Sequence, residues 1–309
     1  MLDPQTLYEL AADQPGPGEL VDPVLIYALS GFIDAGFAGK LASDHLLHSL
    51  PQRRLATFDV DQLHDYRARR PPMTFMEDHW EDYDGPDLAL RLVRDGSGTP
   101  FLMLTGPEPD VQWERFVTAV RQLVERYHVR LAIGMNGIPM AVPHTRPAGV
   151  TAHCTRKELI AGFRPWIGQV QVPGNVGGLI ELRLGQAGHD AAGFAVHVPH
   201  YLAQAEYPDA AATLLECVIG LSSLDLPMDA LRAAGAETQA AIAEQVSGQP
   251  EVAAVVAALE QQYDAFVSAR DRNLLLSDEN AQLPTADELG AELERFLAEE
   301  NERRGRGES

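Results

Sequence analysis

Three short apolar runs recur along this chain, and each ends in a turn. Residues 24–29 read Val-Leu-Ile-Tyr-Ala-Leu after Pro23, residues 100–105 read Pro-Phe-Leu-Met-Leu-Thr, and residues 129–134 read Val-Arg-Leu-Ala-Ile-Gly. A short apolar run of this kind is what a β-strand covered on both faces requires. The first breaks into Ser30-Gly-Phe-Ile-Asp-Ala-Gly36, after which Ala38, Leu41, Ala42 and His45 fall on one helical stripe, with Pro51 just beyond its end. The second breaks at Gly106-Pro-Glu-Pro-Asp110. Asp110 is placed to cap a helix carrying Trp113, Phe116, Val117, Val120, Leu123, Val124 and Tyr127. The third ends at Met135-Asn-Gly-Ile-Pro139. Such βα units in succession predict an α/β fold: a mostly parallel sheet with helices on both faces.

Between these runs the pattern is weaker. A strand is expected over 54–58, a surface excursion over 59–72, and an antiparallel pair of 73–83 with 88–93 about an Asp84-Gly-Pro86 turn. That pair makes the sheet mixed. Further strands are expected at 151–154, 168–172 and 194–198, with a helix from Val176 between the last two and another over 210–221. Thr155-Arg-Lys-Glu158 has the form of a capping box for a short helix. From Pro227 the chain turns alanine-rich and helical. Residues 228–246 and 251–270, joined by Ser247-Gly-Gln-Pro250, read as an αα-hairpin with Val252, Val255, Val256, Leu259, Tyr263 and Phe266 on one stripe. A last helix opens at Thr285-Ala-Asp-Glu288 and presents Leu289, Leu293, Phe296 and Leu297. The charged residues 299–309 are expected to be disordered. The division that follows is a core domain over 1–226, a helical extension over 227–300 and a tail over 301–309.

The net charge of −21, from 45 acidic and 24 basic side chains, repels nucleic acid and anionic membranes, so neither is an expected partner. No apolar run approaches the ~20 residues needed to cross a bilayer. Residues 1–18 carry acidic side chains and Pro-Gly pairs where a signal peptide needs a basic start and an apolar stretch. Cys154 and Cys217 are the only cysteines, which excludes a disulfide framework and argues against a cysteine-based zinc site. A soluble protein of a reducing cytoplasm is expected.

In a doubly wound sheet, ligands collect at the carboxyl ends of the strands. The turns at 30–36, 105–110 and 135–139 converge there, and Pro173-Gly-Asn-Val-Gly-Gly178 opens a helix. The candidate ligand-binding residues are Ser30, Gly31, Asp34, Gly36, Thr105, Gly106, Asn136, Gly137, Gly174, Asn175 and Gly177. Glycine admits close backbone approach, and a helix N-terminus offers N–H groups to an anion. The same glycines also serve sharp turns and close helix–sheet packing, which is the simpler reading. Neither GxGxxG after the first strand nor GxxxxGK[ST] is present.

Ser30 occupies a strand-to-helix corner without the GxSxG elbow, and its hydroxyl more simply satisfies the turn. Asp34 is a candidate general base or, more simply, the cap of the first helix. Glu108 and Asp110 are candidates for paired carboxylates, although Asp110 has its capping role. His45 with His48, and His197 with His200, are close in sequence, but neither pair has the HExxH pattern or a third ligand. No metal or cofactor is expected, and no catalytic residue is assigned.

Several of these turns resemble those of a known family. Leu29-Ser-Gly-Phe-Ile-Asp-Ala-Gly36 is similar to the Gly-aromatic-x-Asp-Ala-Gly turn of the PAC2 family, and Thr105-Gly-Pro-Glu-Pro-Asp110 with Trp113 and Phe116 resembles its second signature. Gly134-Met-Asn-Gly-Ile-Pro-Met140 and Pro173-Gly-Asn-Val-Gly-Gly178 fall where further family turns are expected. The resemblance spans residues 24–226, and the C-terminal helices resemble the extension of actinobacterial members. It implies a three-layer α/β/α sandwich of phosphorylase/hydrolase-like type and homo-oligomers, dimers or trimers. It also implies a non-enzymatic scaffold or chaperone, with proteasome subunits as the partner to test. The alternative is an enzyme acting on a small anionic or nucleoside-like substrate at the strand-end cleft. Arg306-Gly-Glu-Ser309 departs from the hydrophobic-Tyr-any tail with which relatives that dock on proteasome α-rings often end.

Overall fold

Alternation along the strands sets up two cores, one on each face of a single large sheet. The computed structural model describes residues 2–31, 33–166 and 168–276, with the backbone alone for 270–276. The expected helix from Thr285 and the tail lie outside the described residues. The strands are β1 (Tyr8–Leu10), β2 (Val24–Ser30), β3 (Gln52–Phe58), β4 (Met73–Met76), β5 (His79–Tyr83), β6 (Ala89–Arg94), β7 (Pro100–Pro107), β8 (Leu131–Met140), β9 (Val150–Cys154) and β10 (Ala191–Pro199). The helices are α1 (Ala38–Ser49), α2 (Trp113–Arg126), α3 (Val176–Gln186), α4 (Pro208–Ser222), α5 (Asp229–Ser247) and α6 (Pro250–Leu276).

Eight strands form one sheet in the order β1-β3-β6-β7-β2-β8-β10-β9. Its centre, β7-β2-β8-β10, is parallel, while β6, β3, β1 and β9 join by antiparallel pairing. Along β2, Val24, Ile26 and Ala28 point into the core covered by α1 and α4. Leu25 and Tyr27 point into the opposite core, covered by α2 and α3. Every one of these side chains is buried, which is why the run reads as continuously apolar. α1 and α4 present small faces, Ala38 and Ala42 on one and Ala210 and Ala211 on the other, which let both helices lie close to the sheet and to each other. The result is the three-layer α/β/α arrangement.

Among the described residues two compact units divide the chain: one within 2–164 and 174–264, the other within 165–173 and 265–276. In the first, Leu231 of α5 joins the core formed with Leu224, Leu226 and Met228. On α6, Val256 and Leu259 are buried whereas Val252 and Val255 are exposed, so only part of the expected stripe is used. Arg146 pairs with Asp264 at 2.7 Å and with Glu260 at 3.3 Å, and the Tyr263 hydroxyl donates to the Pro147 carbonyl. In the second unit, Trp166 stacks on Phe266 with ring centroids 5.1 Å apart. No helix among the described residues is long and apolar enough to cross a membrane.

Four local expectations are corrected. Residues 73–83 do not pair with 88–93. They fold back on themselves as the β4–β5 hairpin, a separate two-stranded sheet, while β6 lies buried between β3 and β7. The turn is made at Glu77 with φ +50°, and the lack of glycine or proline there hides it from sequence. β8 does not stop at Met135. Its pairing with β2 ends at Gly134, but pairing with β10 continues to Met140. Beyond Gly134 it is a one-sided strand, which is where Pro139 is tolerated. Residues 168–172 form no strand and are exposed. The capping-box reading at Thr155 fails too: that hydroxyl accepts from the Ala191 N–H at 2.9 Å, and the 3-10 turn Lys157–Ile160 has no side-chain cap. The short edge strand β1 carries too few residues to show a pattern.

The two cores predict a clear contrast in stability. Phe116 is fully buried against Phe58, and Phe116→Ala should cost about 3–5 kcal/mol in urea unfolding. Leu182→Ala, on the exposed side of α3, should stay within about 0.5 kcal/mol.

Candidate functional site

The strand-end turns meet at one carboxylate. Asp34 Oδ1 accepts the backbone N–H of Gly39 at 2.8 Å and of Gly137 at 2.9 Å, and Oδ2 accepts that of Lys40 at 2.9 Å. One side chain therefore ties the turn after β2 to the first turn of α1 and to the far end of β8. The residue just before α1 is Phe37, in left-handed conformation, and Asp34, from the turn ahead of it, caps the first turn of the helix through its bonds to Gly39 and Lys40, as the simpler reading expects. Burial pushes the Asp34 carboxyl above its ordinary value, against the pull of the three N–H groups and the nearby Lys40.

Close backbone approach completes the junction. Gly36 has φ +66°, and a Cβ there would lie 2.9 Å from Tyr207 Cβ; its N–H and carbonyl bond Ala203 and Tyr207. A Cβ on Gly137 would run into the Ala35 carbonyl. Both glycines are required by the geometry of packing.

Beside this junction lies a cleft of about 220 Å³, bordered by α1, β2, β6 and β7. Ser30, Asp34, Thr105 and Gly106 line it, together with Lys40, Asp44, Asp87 and Arg91. Arg91 is buried and donates to Thr105 Oγ1 at 2.8 Å and to Asp87 at 2.5 Å; Arg54 grips the same Asp87 at 2.7 and 2.9 Å. Lys40 pairs with Asp44 at 2.6 Å. The Ser30 hydroxyl lies 3.4 Å from the Gly106 carbonyl. The cleft thus offers a polar wall of charges that already face opposite charges.

The remaining candidates are distributed elsewhere. Asn136 and Gly137 lie on the extended β8, and Gly31 is exposed beside Glu108. Gly174, Asn175 and Gly177 gather at the start of α3, outside the lining of the cleft. There Asn175 caps the helix by accepting the Gly178 N–H at 2.7 Å, Glu108 accepts the Val176 N–H at 2.6 Å, and the Tyr27 hydroxyl donates to the Gly177 carbonyl at 3.3 Å. Glu108 and Asp110 bond different groups. Asp110 does not cap α2, whose N-cap is Gln112 in left-handed conformation. Asp110 instead accepts the Asp65 N–H at 2.6 Å and pairs with Arg69 at 2.8 Å. Arg69 also donates to the carbonyls of Glu108 and Ser30, so part of the 59–72 excursion is fastened across the ends of β2 and β7.

The histidines bond other groups. His45 and His48 lie 2.8 and 2.6 Å from the carbonyls of Pro227 and Asp44, and the buried His197 lies 2.8 Å from Thr151 Oγ1. Among the described residues no group of three or more His, Cys, Asp or Glu is arranged to hold a metal ion. Sequence reasoning passed over Arg91, Asp87 and Lys40. The available signal was Arg91 itself, a charge inside the otherwise apolar Ala-Leu-Arg-Leu-Val run of β6.

Comparisons with known proteins follow the same geometry. The model of the PAC2 family matches residues 28–246. A Mycobacterium tuberculosis protein of unknown function is 52% identical, with 87% of this chain and 92% of that one covered and a TM-score of 0.84. A Corynebacterium glutamicum protein of unknown function is 38% identical, with 85% and 99% covered and a TM-score of 0.80. A M. tuberculosis proteasome-assembly chaperone homologue shares the fold at 24% identity, with 75% and 99% covered and a TM-score of 0.70. A search of curated proteins finds no match.

Two outcomes test the junction. Asp34→Ala strands three N–H groups and should cost about 2–4 kcal/mol in urea unfolding; Asp34→Asn, which keeps one accepting oxygen, should cost less. At Asp110, burial pushes the carboxyl up, but Arg69, the Asp65 N–H and His64 outweigh it and hold it below its ordinary 3.8. A depressed carboxyl contributes stability that is present above 3.8 and lost as pH falls through the lowered value. An acid titration of unfolding should therefore show a shallower loss below that point in Asp110→Asn than in the unaltered chain.

Proposed function

This chain belongs to the PAC2 family, and from that membership we propose that it is a non-enzymatic protein-binding scaffold of chaperone type, with proteasome subunits as its partner. The observation that carries the reading is the commitment of the strand-end groups. Both oxygens of Asp34 are engaged by backbone N–H groups, Asp87 is held by two arginines, and Lys40 is paired. A general base or an anion clamp needs such groups poised toward a ligand, whereas these hold elements together. The proteasome enters through the fold shared with the chaperone homologue, an analogy of architecture. A homo-oligomer, dimer or trimer, working in the cytoplasm completes the proposal.

A second reading has its own support in the cleft. Its volume of about 220 Å³ suits a small polar molecule, and Ser30, Thr105 and Arg91 offer hydrogen bonds on one wall. On this reading the chain is an enzyme or binding protein for a small anionic or nucleoside-like compound.

Affinity purification of the full chain from its own cells should enrich 20S proteasome subunits, and a deletion strain should accumulate incompletely assembled particles. Normal assembly with no proteasome subunit enriched would rule out the scaffold reading. A thermal-shift screen with phosphate, nucleosides and nucleotides should leave the melting point in place; a rise of several degrees with one compound would favour the second reading.

A further inference from the structure

α1 packs on β2 and β8, and along its flank the neighbouring strands β7 and β6 contribute to the cleft of about 220 Å³. That volume falls below the ~300–1,000 Å³ of pockets that take drug-sized ligands, so the cleft suits a compact metabolite.

The charges around the cleft do not cancel evenly. Arg54 holds both oxygens of Asp87, at 2.7 and 2.9 Å, and Lys40 answers Asp44. The Asp34 carboxylate is engaged by three backbone N–H groups at the start of α1 and on β8, where the partial positive charge of a helix N-terminus opposes its own. Arg91 shares Asp87 with Arg54, which leaves a positive charge in excess on the sheet side. A guanidinium carries five N–H donors, and among the described residues Arg91 places one on Thr105 and one on Asp87. Only 8% of Arg91 is exposed, so its remaining donors are held in place at the wall of the cleft.

Two hydroxyls stand beside it. Thr105 Oγ1 accepts from Arg91, so its own proton can go to a further acceptor. The Ser30 hydroxyl lies 3.4 Å from the Gly106 carbonyl, a long and weak bond that a better acceptor would replace. Leu29, Leu47 and Met135 also line the cleft and suit a short carbon chain.

We propose that the cleft binds the anion of a small aliphatic carboxylic acid, its carboxylate received by the Arg91 guanidinium and the Thr105 and Ser30 hydroxyls. The inference rests on the cleft being a small-molecule site, and it narrows the ligand from anionic or nucleoside-like compounds to monocarboxylates. A single negative charge answers the single excess positive one. A phosphate dianion would bring a second negative charge to a space already bordered by Asp34, Asp44 and Asp87. A nucleoside would bring no charge to Arg91. The planar fork of an arginine, moreover, meets a carboxylate in two parallel bonds.

Isothermal titration calorimetry of the full chain with butyrate and lactate tests this, beside butyramide, phosphate and adenosine. Both acids should bind saturably at about millimolar concentration, and butyramide about tenfold more weakly or worse. Ser30→Asp, an exposed substitution that sets a negative charge at the cleft, should weaken acid binding about tenfold. Ser30→Lys should tighten it, which loss of folding cannot mimic. Arg91→Lys keeps the charge but loses the fork, and should weaken it. Binding of phosphate or adenosine but of neither acid would overturn the carboxylate assignment while leaving a small-molecule cleft. Failure of every probe to bind at about 10 mM would overturn both. Acid binding untouched by Ser30→Asp would place the acid outside the cleft and overturn the proposal as well.

Discussion

Three backbone N–H groups converge on the carboxylate of Asp34, and the arrangement of the strand ends depends on that convergence. The turn after β2 has to deliver α1 onto the first core while its own backbone lies directly against β8. Backbone brought so close cannot turn its N–H groups to water, so an acceptor has to be supplied from within. Asp34 supplies it for the first turn of α1 and for Gly137 at once. Gly36 and Gly137 remove the side chains that would hold the layers apart. The carboxylate and the two glycines are parts of one solution.

A second fastening closes the neighbouring strand ends. Arg69 reaches from the 59–72 segment to the carbonyls of Ser30 and Glu108 and to the carboxylate of Asp110. This holds down the segment from which the β4–β5 hairpin departs. The hairpin itself buries nothing in either core. The molecule therefore combines a strand-end region whose charges are used internally with a hairpin whose large apolar side chains are exposed.

How much was legible in sequence follows from how local each cause is. Runs such as Val24 to Leu29 and the stripe of α2 announced themselves because burial on both faces, or on one face of a helix, writes a period into the chain. The end of β8 did not, because Asn136-Gly-Ile-Pro139 has the composition of a turn and remains a strand only through its pairing with β10. The hairpin was misassigned because alternation continues across a turn made by Glu77 without glycine or proline. Asp110 had the identity of a helix cap, but Arg69, forty-one residues earlier, offered it a stronger partner.

By itself the sequence determined the alternation of strand and helix, the two-sided burial of the central strands, and the turn of Gly31 to Gly36 with Asp34 inside it. Each of these is set by residues within a few positions of one another. Only the tertiary structure decided what Asp34 binds, which candidates share a cleft, and that Arg91, Asp87 and Lys40 line it with Ser30 and Thr105. The partners of Asp34 include a residue 103 positions away, and the cleft joins β2, β6, β7 and α1. Such distances are closed by sheet order and helix packing, which no local period records.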